Sequence, residues 1–355
     1  MRRLTRSSAG ASFGSSPPCT EIVTRREETL TNPLVAVRDV HYGSSIIVAG
    51  IVFFDLLIAS PTLRWMDLRL PATVAAFRAR TAALLWICLA LSIISGFGWL
   101  CLLAAGIVDE PVADVIADGT VWLVLLQTQF GFAWKVRFLF GLVLAACLVM
   151  RRTKDTAAPV WQEVWAALLA AAYLGSMAFA GHGQEGLGLG RNLHLAVDFL
   201  HLIAAGLWLG GLVPLALLLF YLRRFREEAW ASVACNAAAR FSDLGIVAVG
   251  TLLISGMINT YFLVGDMQRL IDTSYGRLLL LKVTLFAAMV CLAGINRQYL
   301  LPRLFHDSGT DQGSRTVQWL IRSATAEIFL GLGVIIIVGM LGIMEPATDM
   351  HAHVH

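Results

Sequence analysis

An all-α bundle of about eight membrane-crossing helices is the fold this sequence predicts, and three observations predict it. Hydrophobic residues make up 57% of the 355 positions and charged residues only 14%, against roughly 25% charged in an ordinary soluble domain. Apolar runs of about 20 residues recur along most of the chain, each long enough to cross a hydrocarbon core of roughly 30 Å as a helix. The arginines are bunched in alternate gaps between the runs, the pattern of loops retained on the cytoplasmic side. The lipid bilayer is therefore the first partner. A net charge of +3 reports on topology and gives no basis for a nucleic-acid partner.

Residues 1–42 are rich in Arg, Ser, Thr and Pro, lack the apolar stretch of a signal peptide, and read as a disordered tail. One bundle follows over residues 43–343, with spans at roughly 43–60, 81–107, 130–150, 160–180, 193–221, 241–263, 276–300 and 319–343. The third is the least regular. GTVWLVLLQTQFGFAWKVRFLF is apolar well before Lys135, so residues 120–130 read either as part of the span or as an interfacial or re-entrant helix feeding it. Residues 344–355, MEPATDMHAHVH, form a short tail carrying His351, His353 and His355. The six cysteines include no CxxC pair and mostly lie in apolar runs, so no disulfide framework is expected.

Charge fixes the orientation. The gaps after spans one, three, five and seven hold Arg64, Arg69, Arg78, Arg80; Arg151, Arg152, Lys154; Arg223, Arg224, Arg226, Arg240; and Arg297, Arg303, Arg315, and read as cytoplasmic. The alternate gaps hold only Arg191, Arg269 and Arg277, and residues 108–118 are acidic, so both termini are expected on the outer, periplasmic side. Only the arginines of the N-terminal tail argue against this. Of the eight histidines, only His306 then falls inside. Six methionines, Met177, Met257, Met267, Met340, Met344 and Met350, also fall near the outer face.

The stretch HLAVDFLH at 194–201 opens the fifth span. At 100° per residue, Asp198 lies at about 40° from His194, His201 at about −20° and Trp208 at about −40°, so all four share one stripe. Gly206 and Gly210 fall opposite, as a GxxxG packing face. Intramembrane ionisable groups are costly and usually mark a pathway or a site. His201 lies about 10 Å deeper than His194, too far for one ion without other ligands, so the stripe reads as a relay or two stations with Asp198 between them. His182, in the loop GHGQEGLGLG, can bend over the mouth, and Met177 and Met257 lie at similar depth. Imidazole with thioether favours copper, methionine selecting Cu(I). His351, His353 and His355 extend the candidate set as a weak collecting tail. The structural alternative makes Met177 and Met257 core fillers and the histidines interhelical links. Asp55, Asp243, Arg240, Arg297 and Glu327 map to the inner half and read as a structural ion network. Lys282 is placed to snorkel outward. No catalytic constellation is read.

These residues carry a resemblance. GHGQEGLGLGRNLHLAVDFLHLIAAGLWLGGLVPL resembles the central signature of the copper resistance protein D family, and YGRLLLLKVTLFAAMVCLAGINRQYLLPRL and RSATAEIFLGLGVIIIVGMLGIMEP are similar to its last two helices, with the family core at about 160–343. The resemblance implies an inner-membrane copper-homeostasis protein that moves copper from periplasm toward cytoplasm, with His182, His194, His201 and Trp208 as the matching residues. It also implies a separate periplasmic copper-carrier partner, since the chain carries no attached carrier domain. Two other readings stay open. One is a haem-binding redox protein, for which His194 and His201 on one stripe need a ligand from another helix, with His41 at an outer helix end available. The other is a copper sensor or assembly factor without transport.

Overall fold

The computed structural model describes residues 32–63, 71–152, 159–180, 189–223, 228–307 and 310–344, and among them every regular element is helical. Among the described residues seven helices are long and apolar enough to cross a membrane: α1 (Pro33–Leu63), α2 (Ala72–Val108), α5 (Gln129–Arg151), α7 (Gly190–Arg223), α8 (Ala231–Val264), α10 (Ser274–His306) and α11 (Asp311–Leu341). The span read at 160–180 is shorter in regular α-helix, as α6 (Val160–Gly175) followed by a 3₁₀ turn at Ser176–Ala180. That combination still extends about 30 Å, because a 3₁₀ turn rises more per residue. Three short helices, α3 (Val112–Ala117), α4 (Thr120–Gln127) and α9 (Met267–Asp272), lie between spans.

The first helix begins ten residues before the boundary that hydropathy suggests. The Asn32 side chain accepts from the backbone N–H of Leu34 and Pro33 occupies the first turn, a capped and pre-organised start. Arg38, Asp39 and His41 lower the hydropathy there, yet Arg38 and His41 are buried in the bundle. α1 is the central helix. It packs on α2, α6, α7 and α11, and 72% of its most apolar window is buried, against 11% for α10 at the periphery.

Backbone contact locks α1 to α7. A Cβ on Gly50 would lie 2.1 Å from the Gly210 carbonyl carbon, and one on Gly210 would lie 2.2 Å from the Ile46 carbonyl oxygen. Only hydrogen fits at either position. Two apolar cores meet across this contact, one built on α1, α2, α5 and α6, the other on α7, α8, α10 and α11.

The same device starts two outer spans. After α4, the Thr128 hydroxyl accepts from Gly131 N–H, and after α9, Thr273 accepts from Gly276 N–H. In each case the glycine lies against carbonyls of the preceding short helix, where a Cβ would come within 2.3 Å of Val124 and Leu125 oxygens or 2.4 Å of the Leu270 oxygen. The chain turns sharply and a new helix begins. Residues 120–127 are accordingly a separate short helix feeding the third span.

Candidate functional site

The π turn at Gly206–Gly210 interrupts α7 and divides its sequence stripe in two. Above it, His194, Asp198 and His201 face α8 as three rungs. His201 Nδ1 lies 2.8 Å from the Ser255 hydroxyl, Asn259 Nδ2 donates to Asp198 Oδ1 at 2.5 Å, and the His194 ring stacks on Phe262 with centroids 4.9 Å apart and planes 12° apart. Positions 255, 259 and 262 recur at helical spacing on one face of α8, so two polar residues and one aromatic ring meet the α7 stripe. The π turn adds residues to its turn and changes the phase beyond it. Trp208 therefore leaves the histidine stripe. It is buried in the second core, edge-on to Phe286 at 5.8 Å. Gly206 packs against Leu174 and Ala49 and Phe53 of α1, and Gly210 against Gly50.

Hydrogen-bond bookkeeping assigns His201 a tautomer. The Ser255 hydroxyl gives its single proton to the Thr251 carbonyl at 2.5 Å, so it can only accept from the ring. Nδ1–H is then the donor and Nε2 keeps its lone pair. Among the described residues Nε2 has no hydrogen-bond partner, and neither ring nitrogen of the buried His194 has one. Both imidazoles can take up a metal ion without breaking a bond they already make. Lys282, expected to snorkel outward, lies within electrostatic reach of Asp198 and His201, so the carboxylate faces a counter-charge from α10.

The methionines do not join this site. Met257 is 73% exposed, because it sits about 200° around α8 from Ser255 and faces lipid. Met177 is 3% exposed and packs in the first core with Tyr173 and Leu174. Among the described residues no group of three His, Cys, Asp or Glu side chains is gathered closely enough to hold a metal. His182, His351, His353 and His355 lie outside the described residues.

The inner-half ion network resolves into two separate pairs. Arg151 meets Asp55 at 2.7 Å and Arg297 meets Asp243 at 2.8 Å. Arg240 is exposed. Glu327 belongs to neither pair: it is 1% exposed and accepts from Asn296 Nδ2 at 2.8 Å.

A second polar cluster, which sequence reasoning missed, fills the first core. Arg137 is 2% exposed and donates to His41 Nε2 at 2.8 Å, to the Tyr173 carbonyl at 2.6 Å, and to the hydroxyls of Ser176 and Ser45 at 3.0 and 2.7 Å. Its guanidinium also lies 4.3 Å from the Tyr173 ring centroid. His41 Nδ1 donates to the Ser92 carbonyl at 2.8 Å, and Trp99 and Trp134 wall the ring. Both nitrogens of His41 are thus engaged. The signal was present in KVRFLF, an arginine inside an apolar span, which is too costly to be incidental.

Comparison with known proteins adds an independent line. The family model described as Copper resistance protein D matches residues 235–341, and that described as Copper resistance protein D-like, N-terminal domain, matches residues 29–192. The ladder on α7 lies in the stretch between them. Whole-chain similarity bridges that gap: Copper resistance protein D of Pseudomonas syringae pv. tomato is 30% identical over 335 residues, 90% of this chain and 99% of its own length. Inner membrane protein YebZ of Escherichia coli is 29% identical over 88% of this chain and 98% of its length. Copper transport protein CutJ of Bacillus subtilis is 29% identical over 67% of this chain and 41% of its own. No solved structure matches.

Proposed function

This chain belongs to the copper resistance protein D family of multi-pass inner-membrane proteins, and from that premise we propose that it transfers copper from the periplasm toward the cytoplasm, with His194 and His201 as successive stations. The observation that carries the reading is the α7–α8 ladder: two imidazoles with uncommitted nitrogens, about 10 Å apart in depth, separated by a carboxylate that Asn259 orients. Asp198 offers charge to a passing cation, and Lys282 opposite keeps that charge from trapping it. The names of the relatives support copper as the cargo.

The proposed donors are imidazole nitrogen and carboxylate oxygen, a set that accepts Cu(II) as readily as Cu(I), since the case for Cu(I) rests on thioether sulfur. The protein acts as a carrier without making or breaking covalent bonds. A separate periplasmic copper carrier delivers to the outer end of the ladder, at His194. The haem reading draws no support from His41, whose two ring nitrogens are already engaged by Arg137 and Ser92.

Copper accumulation by cells expressing wild type and the His194→Ala/His201→Ala variant at equal level tests the proposal. Accumulation falls several-fold in the variant if the ladder carries copper. Unchanged accumulation overturns it, and copper bound stoichiometrically with no flux into proteoliposomes replaces it with the sensor or assembly reading.

A further inference from the structure

Beneath Trp208 lies a cavity of about 370 Å³ between α7, α8, α10 and α11, in the half of the bundle that the arginines assign to the cytoplasm. Its walls are mostly apolar, and three of its glycines, Gly245, Gly250 and Gly294, have nothing within 4 Å of where a Cβ would stand. The space is open where larger side chains would close it. Its polar lining is Ser242, Asn296, Arg297 and Glu327, and Ser242 and Arg297 lie near the membrane boundary read from the sequence. Glu327 of α11 stands beside Asn296, the residue before Arg297.

Glu163 and Glu327 are both buried inner-half acids beside a neutral partner, Glu163 accepting from the Ser60 hydroxyl at 2.8 Å, and of the two only Glu327 lines the cavity. Asp55 and Asp243 each pair with an arginine, whereas the only hydrogen-bond partner of Glu327 among the described residues is the neutral Asn296, which reaches one carboxyl oxygen. The other carboxyl oxygen has no partner there, and the Asn296 carbonyl oxygen is buried and unsatisfied. A carboxyl group with a free oxygen beside an orphaned amide oxygen, in a cavity large enough for several waters, has the polar partners that buried water requires. The oxygen donors suit a proton and not a soft metal ion.

We propose that Glu327 is a proton-exchanging carboxyl in the inner half of the membrane, reached from the cytoplasmic face through this cavity, whose other polar lining is Asn296, Arg297 and Ser242. In the forward step the carboxyl O–H bond breaks, the proton passes to a cavity water to give hydronium, and the carboxylate that remains accepts from Asn296. The reverse step restores the acid. The charged groups facing the route are few. α7 contributes Trp208, Leu212, Leu215 and Leu219, none titratable; α8 contributes Ser242 with Asp243 beside it; α10 contributes Asn296 and Arg297, the latter held by Asp243; α11 adds only the apolar Leu320 and Ala324 beside Glu327 itself. This inference stands apart from the identity of the cargo.

Infrared difference spectroscopy of the full chain in lipid tests it directly. A carboxyl C=O band that varies with pH and vanishes in Glu327→Gln is expected, and on transfer to D₂O it shifts while core amides remain unexchanged. Filling the open glycine positions with Gly250→Leu or Gly294→Leu slows that shift at least tenfold, with the helical circular dichroism retained as the check on folding. No Glu327-dependent band at any pH, or a band that does not shift in D₂O in the wild type, overturns the proposal. So does a shift as fast in both filled variants as in the wild type. None of these outcomes depends on copper flux, so the carrier proposal stands or falls separately.

Discussion

Removing His41 will destabilise the protein more than removing Arg137, although Arg137 makes four hydrogen bonds to the cluster and His41 only one of them. The reason is the charge left behind. His41→Leu strands the Arg137 Nε–H of a guanidinium that is 2% exposed and has no carboxylate among its partners in the described residues. Breaking a buried charged contact from one side costs about 3–5 kcal/mol. Arg137→Met instead removes the charge with its desolvation cost, and Ser45, Ser92 and Tyr173 keep their mutual hydroxyl contacts at 2.7 and 2.5 Å, while Ser176 keeps its bond to the Tyr173 carbonyl. The chief orphan is His41 Nε2, a neutral acceptor, at about 1–3 kcal/mol. Neutral interhelical bonds in membrane proteins average only about 0.6 kcal/mol, so a larger loss must come from the stranded cation. The double variant is therefore more stable than His41→Leu alone. Unfolding by SDS in mixed micelles, followed by circular dichroism, gives all four corners of the cycle. Arg137→Met costing more than His41→Leu, or losses that simply add, would refute the reasoning.

Other expectations are more local. Gly50→Ala, which drives a methyl into the Gly210 backbone, lowers stability by more than about 2 kcal/mol, whereas Gly250→Ala changes it by less than about 0.5 kcal/mol, both read in the same SDS titration. Asp55→Asn, at a partly exposed pair with Arg151, costs no more than about 1 kcal/mol. Asp198→Asn leaves the fold intact and weakens copper binding about tenfold or more by isothermal titration, while Met257→Leu, on the lipid side, leaves affinity unchanged.

The sequence carried the spans and the upper half of the α7 stripe well, because hydropathy and helical phase are local properties. It failed where the chain departs from regular period or where a neighbour decides. Trp208 could not be phased past the π turn at Gly206–Gly210, since nothing in GLWLG marks a wider turn. Ser255 and Asn259 are ordinary polar residues until α8 is known to lie against α7. Met257 sat at the right depth but on the wrong face, a matter of angle that depth alone does not see. The start of α1 was hidden because Arg38, Asp39 and His41 look like a tail when unpaired and like a core when buried. Glu327 read as one more member of an ion network until Arg297 proved to pair with Asp243, and Asp55 with Arg151.

The burial of α1 at the centre also sets a timetable. Arg38 donates to the Gly342 carbonyl at 2.6 Å, a contact between the start of α1 and the residue that follows α11, 304 residues later. At roughly 5–20 residues per second, those residues take on the order of 15–60 s to be made. His41 waits a shorter time for Arg137, 96 residues downstream. Through that interval α1 holds polar groups whose native partners do not yet exist, so it must be sheltered by the insertion machinery, by water at the membrane edge, or by lipid headgroups. The central position that stabilises the finished bundle makes α1 dependent on the rest of synthesis.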